Sequence, residues 1–251
     1  MPTALVTGAT SGLGAEFARQ LAGRGHDLVL VARTEERLHS TQQELARSVD
    51  VEVLPADLTT DDGCAAVATR IERGDIDLLV NNAGIGTYQP FGVATLEHEE
   101  QQLDLNVRAV LRLSHAAVQA MQSRGSGRIL NVSSVAGFIP RGRNATYAAS
   151  KAWVTAFSEA VSVMLRGTGV TITAVCPGFT HTEFHDRAAA DMSDVPERMW
   201  LDAVDVVREG LDDTFAGKPI SVPSRRYKTL SGVARTMPRP LLRAIMARRA
   251  L

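Results

Sequence analysis

The sequence predicts a single α/β domain in which helices cover both faces of a doubly wound parallel sheet of about seven strands. Short β-branched runs alternate with longer segments of helical periodicity, and this alternation is typical of parallel strands joined by crossover helices. Several of the runs are apolar throughout, as expected of strands that are covered on both faces. No Pro-, Gly- or Ser-rich linker divides the 251 residues, whose length suffices for one sizeable core.

The expected strands follow the β-branched runs. In chain order they are Ala4–Thr7, Leu28–Val31, Val51–Pro55, Leu78–Val80, Ile129–Val132, Val170–Val175 and Ile220–Val222. Segments of helical length separate them. The expected helices are Leu13–Arg24, Glu35–Ser48, Asp61–Arg73, Leu96–Ser123, Tyr147–Arg166 and Asp202–Phe215. Glycines follow three of these helices, at the position where a left-handed residue commonly ends a helix.

Composition argues against several classes of protein. The 27 Lys+Arg and 28 Asp+Glu give a net charge of −1, whereas binding to nucleic-acid phosphates needs a basic excess. Cys64 and Cys176 match no metal-ligand spacing, which indicates a reducing compartment without structural zinc. No apolar run reaches the ~18 residues of a membrane span and no cationic leader is present, so a cytoplasmic protein is expected.

The charge is concentrated at the C-terminus. Residues 225–251 contain eight basic residues and no acidic ones, so the rest of the chain has 19 basic and 28 acidic residues. Apolar residues lie among the arginines, and Pro238 and Pro240 divide the segment into two short pieces. We expect this extension to pack on the acidic body or on a second subunit. Contact with an anionic membrane surface is the second alternative.

Three glycines follow the first strand with the spacing G-x-x-x-G-x-G, in Thr7-Gly8-Ala9-Thr10-Ser11-Gly12-Leu13-Gly14. Glycine lets the backbone turn sharply and approach a pyrophosphate closely, and the helix that begins near Gly12 would point its free N–H groups at the phosphates. A tight turn before a helix is the alternative reading. The order of strand, turn and helix at this point favours a dinucleotide site.

The end of the second strand indicates which dinucleotide is bound. An NAD site carries an acidic residue there, but this chain has Ala32 followed by Arg33 and Thr34. A guanidinium would hold a 2′-phosphate, so NADP(H) is expected; the alternative is that Arg33 is a solvated surface charge. Asp57, which precedes Leu58, would accept a hydrogen bond from the adenine amino group, cap the next helix, or do both.

Tyr147 and Lys151 lie four residues apart on an expected helix and therefore share one face. A nearby ammonium stabilises a phenolate, so this pair suits general acid/base catalysis on a carbonyl or alcohol. An isolated Y-x-x-x-K pair is more often a solvated helix pair. Here, further polar motifs are expected near the pair, at the carboxyl edge of the sheet where ligands bind. Ser133 and Ser134 follow the fifth strand, and Asn81-Asn82-Ala83-Gly84 follows the fourth.

With Asn106 and with Pro177-Gly178 after the sixth strand, these motifs resemble the short-chain dehydrogenase/reductase family over about residues 3–182. The resemblance implies a Rossmann-type catalytic domain over residues 1–224, with a substrate lid at 179–200 and the basic extension at 225–251. It implies that Tyr147 exchanges a proton with the substrate, Lys151 binds the nicotinamide ribose and Ser134, 13 residues before the tyrosine, polarises the carbonyl. Asn106 would hold a water of the proton relay.

The resemblance also implies the remaining cofactor contacts. They come from the glycine turn, the ends of the second to fourth strands and the segment after the sixth, and are Gly8, Thr10, Ser11, Gly12, Leu13, Gly14, Arg33, Thr34, Asp57, Leu58, Asn81, Ala83, Gly84, Pro177, Gly178, Thr180 and Thr182. Two features depart from the family pattern: Ser11 replaces a frequent basic residue, and the usual Asp-Gly-Gly after the seventh strand is missing. The second puts the family's tetramer packing in doubt.

The substrate side combines a long lid with apolar residues. Aromatic and aliphatic side chains there suggest an apolar pocket; the alternative is that half of them only pack the lid on the body. They are Phe91, Phe138, Ile139, Phe179, Phe184, Met192, Val195, Met199 and Trp200. Arg141 and Arg143 would be solvated, or would attract an acidic substrate tail. His181 and His185 do not form an H-E-x-x-H motif, so no metal is expected.

The sequence therefore favours an oxidoreductase that transfers a hydride between NADP(H) and a carbonyl or secondary alcohol of a small, mostly apolar substrate: a ketone, an aldehyde or a 3-oxoacyl thioester. A homodimer or homotetramer is expected. The alternative is a regulator that senses NADP(H) without turnover. A sensor has no need of an acid/base, and the set of Asn106, Ser134, Tyr147 and Lys151 argues against it.

Overall fold

The sheet of the computed structural model has seven strands, and all of them are parallel, in the order β3-β2-β1-β4-β5-β6-β7. The structure describes residues 1–87, 89–140, 144–184 and 195–247. The strands are β1 (Thr3–Thr7), β2 (Asp27–Ala32), β3 (Val51–Pro55), β4 (Ile76–Asn81), β5 (Gly127–Val132), β6 (Val170–Val175) and β7 (Ile220–Ser221). The predicted α/β class and strand count are confirmed.

Helices cover both faces of the sheet. They are α1 (Gly12–Gly23), α2 (Glu35–Leu45), α3 (Asp61–Glu72), α4 (Leu96–Leu103), α5 (Ala109–Arg124), α6 (Ala145–Met164), α7 (Ala203–Phe215), α8 (Arg225–Thr236) and α9 (Arg239–Ala247). One predicted helix, over 96–123, is divided into α4 and α5 by a π-helical turn at Asp104–Arg108. No described helix is long and apolar enough to cross a bilayer.

Two core layers form because successive strand side chains point to opposite faces of the sheet. Val6 and Leu30 pack with Phe17 of α1 and Leu211 of α7 on one face. On the other face, Leu5 and its neighbours pack with residues of α3, α5 and α6. Strands buried on both sides explain the continuous apolar runs in the sequence.

The chain reverses its winding direction at β1, which lies between β2 and β4. Parallel sheets of this kind bind ligands in the crevice that opens outside the carboxyl ends of the strands at this switch point. The glycine turn after β1, the Asn-Asn-Ala-Gly segment after β4 and the two serines after β5 all lie at this edge. The topology therefore brings the predicted motifs together.

The basic extension packs α8 against the body. Tyr227 and Ser231 are buried on its inner face, and Arg235 forms an ion pair with Glu159 of α6 at 3.1 Å. Lys228 pairs with Glu209 of α7. Apolar residues remain exposed on the outer side, namely Leu230 and Val233 of α8 and Leu241 and Ile245 of α9. Arg248 and Arg249 lie outside the described residues.

Candidate active site

A cavity of about 580 Å³ lies at the carboxyl ends of the strands. It is lined by loops that follow six of the strands and by α6, so that one cleft contains most of the predicted site residues. These are Gly8, Thr10, Ser11, Gly12, Leu13, Arg33, Thr34, Asp57, Leu58, Ala83, Gly84, Ser134, Tyr147, Lys151, Pro177, Gly178, Thr180 and Thr182. Gly14, Asn81 and Asn106 lie behind this lining.

The glycine turn is a tight cradle. Gly8 and Gly12 have φ of +66° and +51°, a backbone region that residues with a Cβ rarely adopt. A Cβ at Gly14 would lie 2.0 Å from the carbonyl oxygen of Gly8, so Gly14 shapes the turn from beneath. Thr182 closes the opposite side, since a Cβ at Gly12 would lie 3.2 Å from its Cβ.

Thr7 joins this turn to the segment after β4, a role that the sequence analysis missed. Its hydroxyl oxygen accepts hydrogen bonds from the backbone N–H groups of Asn82 and Ala83, at 2.9 and 3.0 Å. The Asn82 amide in turn donates to the carbonyl oxygen of Thr7 at 2.9 Å. These three hydrogen bonds join the two segments, and Asn82 lines the cavity.

Asn81 does not line the cavity, in contrast to the expectation. As the last residue of β4 it points into the interior and is 3% exposed. Its amide donates to Asn131 Oδ1 at 2.9 Å and to Ser114 Oγ at 3.1 Å. The alternation of side chains along a strand gives Asn81 to the core and leaves the neighbouring Asn82 for the cavity.

Two guanidinium groups border the end of the cavity next to β2. The predicted Arg33 is exposed and lines it. Arg37, one turn later on α2, also lines it, and donates to the carbonyl oxygen of Thr10 at 2.9 Å. No local pattern in the sequence marks Arg37, because Arg33 precedes α2 and the two residues do not share a helix face. Arg37 also pairs with the Glu183 carboxylate at 3.8 Å, so a dianionic group at this end would meet the charge of Arg33 and the partly compensated charge of Arg37.

The helix-capping alternative for Asp57 was wrong. Thr60 caps α3, with its hydroxyl oxygen accepting from the N–H of Gly63 at 3.0 Å. Asp57 instead accepts from the N–H and the hydroxyl of Thr59, at 3.0 and 2.7 Å. This turn holds the Asp57 carboxylate at the cavity wall, where Leu58 also lies.

Tyr147 and Lys151 lie one turn apart on α6 and both line the cavity. The Lys151 ammonium donates to the carbonyl oxygen of Val132 at 2.8 Å and lies 5.7 Å from the centre of the Tyr147 ring. Lys151 is buried, and no carboxylate among the described residues pairs with it. Burial therefore lowers the pKa of Lys151 to about 8. A lysine in this state can exchange a proton near neutral pH.

Buried hydrogen bonds fasten α6 to β5 and so position this pair. Ser133, 2% exposed, donates to the carbonyl oxygen of Lys151 at 2.7 Å, and its hydroxyl lies 2.7 Å from that of Thr155. Two turns further along, the Asn131 amide donates to Ser158 Oγ at 3.0 Å. These contacts hold Lys151 at a set distance from the strand end.

The two adjacent serines differ in what their hydroxyl groups contact. The hydroxyl of Ser133 is used within the core, whereas Ser134 is partly exposed at the cavity, where its oxygen accepts from the N–H of Ala136 at 3.1 Å. An oxygen that accepts from the protein still has its own proton to donate. The geometry thus favours Ser134 over Ser133 for contact with a carbonyl oxygen.

Ser134→Ala is expected to lower kcat about 10²-fold, because it removes one donor to the carbonyl oxygen on which charge develops. Ser133→Ala, the matched control, removes a core hydrogen bond and is expected to lower the melting temperature with a much smaller change in kcat. Steady-state kinetics and thermal unfolding of both variants distinguish the roles. A larger kcat effect for Ser133→Ala would contradict the assignment of Ser134.

Asn106 lies in the π-helical turn and is fully buried. Its Oδ1 accepts from the N–H of Ile85 at 3.0 Å, while its Nδ2 donates to the carbonyl oxygen of Ile85 at 2.8 Å and to Ser150 Oγ at 3.2 Å. The side chain thus braces the segment after β4 against α6. Single π-turns inside helices often occur at functional sites.

The apolar residues expected around the substrate separate into two groups. Phe179 and Phe184 line the cavity, and the Phe184 ring lies 5.5 Å from the Tyr147 ring, centre to centre. Phe138 is instead buried with Tyr227 in a small core cluster, and Phe91 is 71% exposed. The middle of the expected lid, 185–194 with His185 and Met192, and the arginines at 141 and 143 lie outside the described residues.

Tyr227 of α8 is a further residue that the sequence analysis missed. Its hydroxyl donates to the carbonyl oxygen of Met199 at 2.8 Å and accepts from the N–H of Phe179 at 3.2 Å. A Cβ at Gly178 would lie 2.1 Å from the Tyr227 ring. One side chain therefore holds the two ends of the segment between β6 and α7.

Comparison with known proteins agrees with this geometry. A family model described as short chain dehydrogenase matches residues 2–193. A protein of Streptomyces coelicolor assigned as a ketoacyl reductase is 39% identical over 217 residues, covering 80% of this chain and 79% of its own. An uncharacterised oxidoreductase of Myxococcus xanthus is 35% identical and covers 98% of this chain and 96% of its own.

A solved structure is similar over nearly the whole chain. The short-chain dehydrogenase from Sphingobium yanoikuyae in complex with NADPH superposes with a TM-score of 0.86, at 37% identity and with 93% of each chain covered. Fold, cavity motifs and sequence similarity agree over the same residues. The chain therefore belongs to the short-chain dehydrogenase/reductase family.

Proposed function

We propose that this protein is an NADP(H)-dependent oxidoreductase that interconverts a carbonyl and a secondary alcohol. The observation that carries the proposal is the placement of Tyr147, Lys151 and Ser134 in the same cavity as the glycine turn. An acid/base pair and a hydrogen-bond donor next to a dinucleotide cradle are the protein groups that this reaction needs. The cofactor, when bound, supplies or accepts the hydride.

The residues present fit a dinucleotide. Gly8 and Gly12 leave a cradle that a side chain would fill, and α1 begins directly behind it, with its N–H groups available for phosphate. Arg33 and Arg37 border the end of the cleft where a 2′-phosphate would lie. Tyr147, Lys151, Pro177 and Gly178 line the same cleft. The cleft therefore suits an extended ligand that has one phosphate group at the glycine turn and another beside the two arginines.

In reduction, Tyr147 donates its proton to the carbonyl oxygen while Ser134 donates a hydrogen bond to the same oxygen. The Lys151 ammonium stabilises the phenolate that Tyr147 becomes. Asn106 keeps the segment after β4 in place beside these groups. In oxidation, the Tyr147 phenolate takes the proton from the alcohol, while Ser134 and Lys151 keep the same positions.

Arg33→Ala is expected to raise KM for NADPH by about 10- to 100-fold and to change KM for NADH little, because it removes a charge-assisted contact to the 2′-phosphate. Arg37→Ala should act in the same direction. Arg47→Ala, an exposed arginine just beyond α2, is the matched control. Initial rates with both cofactors test the proposal, and equal effects of Arg33→Ala on NADPH and NADH would overturn the 2′-phosphate role.

The substrate class follows from the cavity and from relatives. Phe179, Phe184 and Leu105 supply apolar wall, which suits a ketone, an aldehyde or a 3-oxoacyl thioester. One similar solved structure is an alcohol dehydrogenase of Comamonas testosteroni specific for bulky-bulky ketones, with a TM-score of 0.81, 31% identity and 95% of each chain covered. A screen of NADPH oxidation over these three classes tests the proposal, and an absence of turnover on all three would contradict it.

A sensor without turnover is not favoured, because it would have no use for the buried lysine beside Tyr147. A homo-oligomer belongs to the proposal as well, since Leu230, Val233, Leu241 and Ile245 present apolar surface on α8 and α9 that a second copy would cover. The alternative is that the same basic surface contacts an anionic membrane. Mass measurement in solution and sedimentation with anionic vesicles separate the two.

A further inference from the structure

Asn144 stands immediately before α6, one turn ahead of Tyr147, and lines the same cavity. It is 3% exposed and has φ of +65°. Asparagine tolerates this left-handed conformation better than most residues, so the backbone alone could account for its presence. The hydrogen bonds of the residue distinguish what its backbone does from what its side chain does.

The backbone of Asn144 is fully used. Its N–H donates to the carbonyl oxygen of Gln89 at 3.2 Å, and its carbonyl oxygen accepts from the N–H of Ala148 at 3.0 Å. The side chain does not cap α6, which is the usual task of an asparagine at this position. Its Oδ1 is buried and has no hydrogen-bond partner among the described residues.

A buried amide oxygen without a partner is unfavourable, and native proteins rarely leave one unless a ligand or water satisfies it. We propose that Asn144 is a specificity-determining residue that binds a hydroxyl group of the substrate, a few carbon atoms from the carbonyl that is reduced. The inference rests on the proposed function. It extends the substrate class from a plain apolar carbonyl compound to a hydroxy-ketone or hydroxy-aldehyde.

A hydroxyl is the group that fits, because it both donates and accepts. It can donate to Oδ1, and it can accept from the amide nitrogen if the side chain turns over. His98 of α4 lines the same cavity, and its Nε2 is likewise buried without a partner among the described residues. α4 packs against α6, so a second polar group stands on the facing helix.

The test compares three substrates of equal chain length: a plain ketone, the corresponding β-hydroxyketone and the corresponding β-diketone. For the native protein, we expect kcat/KM for the hydroxyketone to exceed that for the plain ketone by at least about tenfold. In Asn144→Gly this ratio is expected to fall to near one. Glycine retains the left-handed backbone, so the variant removes the amide without straining the start of α6.

Thr171→Val is the matched control, since Thr171 Oγ1 is also buried without a partner among the described residues but lies in β6, away from the cavity. Its ratio should equal that of the native protein, and melting temperatures check that both variants fold. A native ratio near one, or an unchanged ratio in Asn144→Gly, would overturn the inference while leaving the proposed function intact. A preference only for the diketone would overturn the hydroxyl assignment, and no turnover of any ketone would overturn both.

Discussion

Tyr147→Phe is expected to lower kcat for carbonyl reduction by about 10³-fold or more, within the usual range for loss of a general acid. Phenylalanine retains the ring that packs beside Phe184 and Gly86, and removes only the hydroxyl. Cavity shape and cofactor contacts should therefore survive, and the effect should fall on the chemical step.

The measurement pairs single-turnover reduction with NADPH titration followed by fluorescence. The dissociation constant for NADPH should change by no more than about threefold, since Tyr147 contributes little to the phosphate and adenosine contacts that dominate cofactor affinity. Turnover at the native rate in Tyr147→Phe would remove the acid/base role and with it the proposed reaction. Loss of NADPH binding together with turnover would show instead that the Tyr147 hydroxyl is needed for cofactor binding.

Lys151→Met is expected to lower kcat about 10²- to 10³-fold, because it removes the positive charge that stabilises the phenolate of Tyr147. Methionine keeps most of the volume of the lysine stem, so the buried site should remain filled. The hydrogen bond from the ammonium to the carbonyl oxygen of Val132 is lost as well. A native kcat in this variant would contradict the role of the lysine.

The pH dependence gives an independent check on Lys151. Burial lowers the pKa of this residue to about 8, so raising the pH through that value removes the ammonium, and kcat/KM for reduction should fall. Stability should change in the opposite direction. Between about pH 8 and 10.5 the unfolded chain binds more protons at this lysine than the folded chain, so the contribution of Lys151 to stability rises with pH. A fall in kcat/KM above pH 8, without unfolding of the protein, would agree with both the expected loss of activity and the expected rise in the contribution of Lys151 to stability.

Much of the site was predictable because its residues belong to local patterns. The glycines of the turn after β1 follow from the spacing in the sequence, and positive φ at Gly8 and Gly12 is the physical reason for them. Tyr147 and Lys151 share a face because four residues make about one helical turn. The apolar runs predicted the strands, since strands covered on both faces exclude polar residues.

Other residues were not predictable, because their roles depend on contacts between distant segments. Thr7 matters through a bond to Asn82, 75 residues away, and Tyr227 through bonds to Phe179 and Met199. Arg37 enters the cavity only because α2 packs beside the glycine turn. Asn81 and Asn82 are identical in type, and only the direction of the last residue of β4 decides which one lines the cavity.

The sequence by itself determined the alternation of strands and helices, the glycine cradle and the acid/base pair, because each is encoded by residues close together in the chain. Tertiary structure alone decided that Ser133 fastens Lys151 through a core hydrogen bond, and that Asn144 presents a buried amide oxygen without a partner among the described residues. Burial and hydrogen-bond satisfaction depend on what packs around a side chain, and that is set by the whole fold.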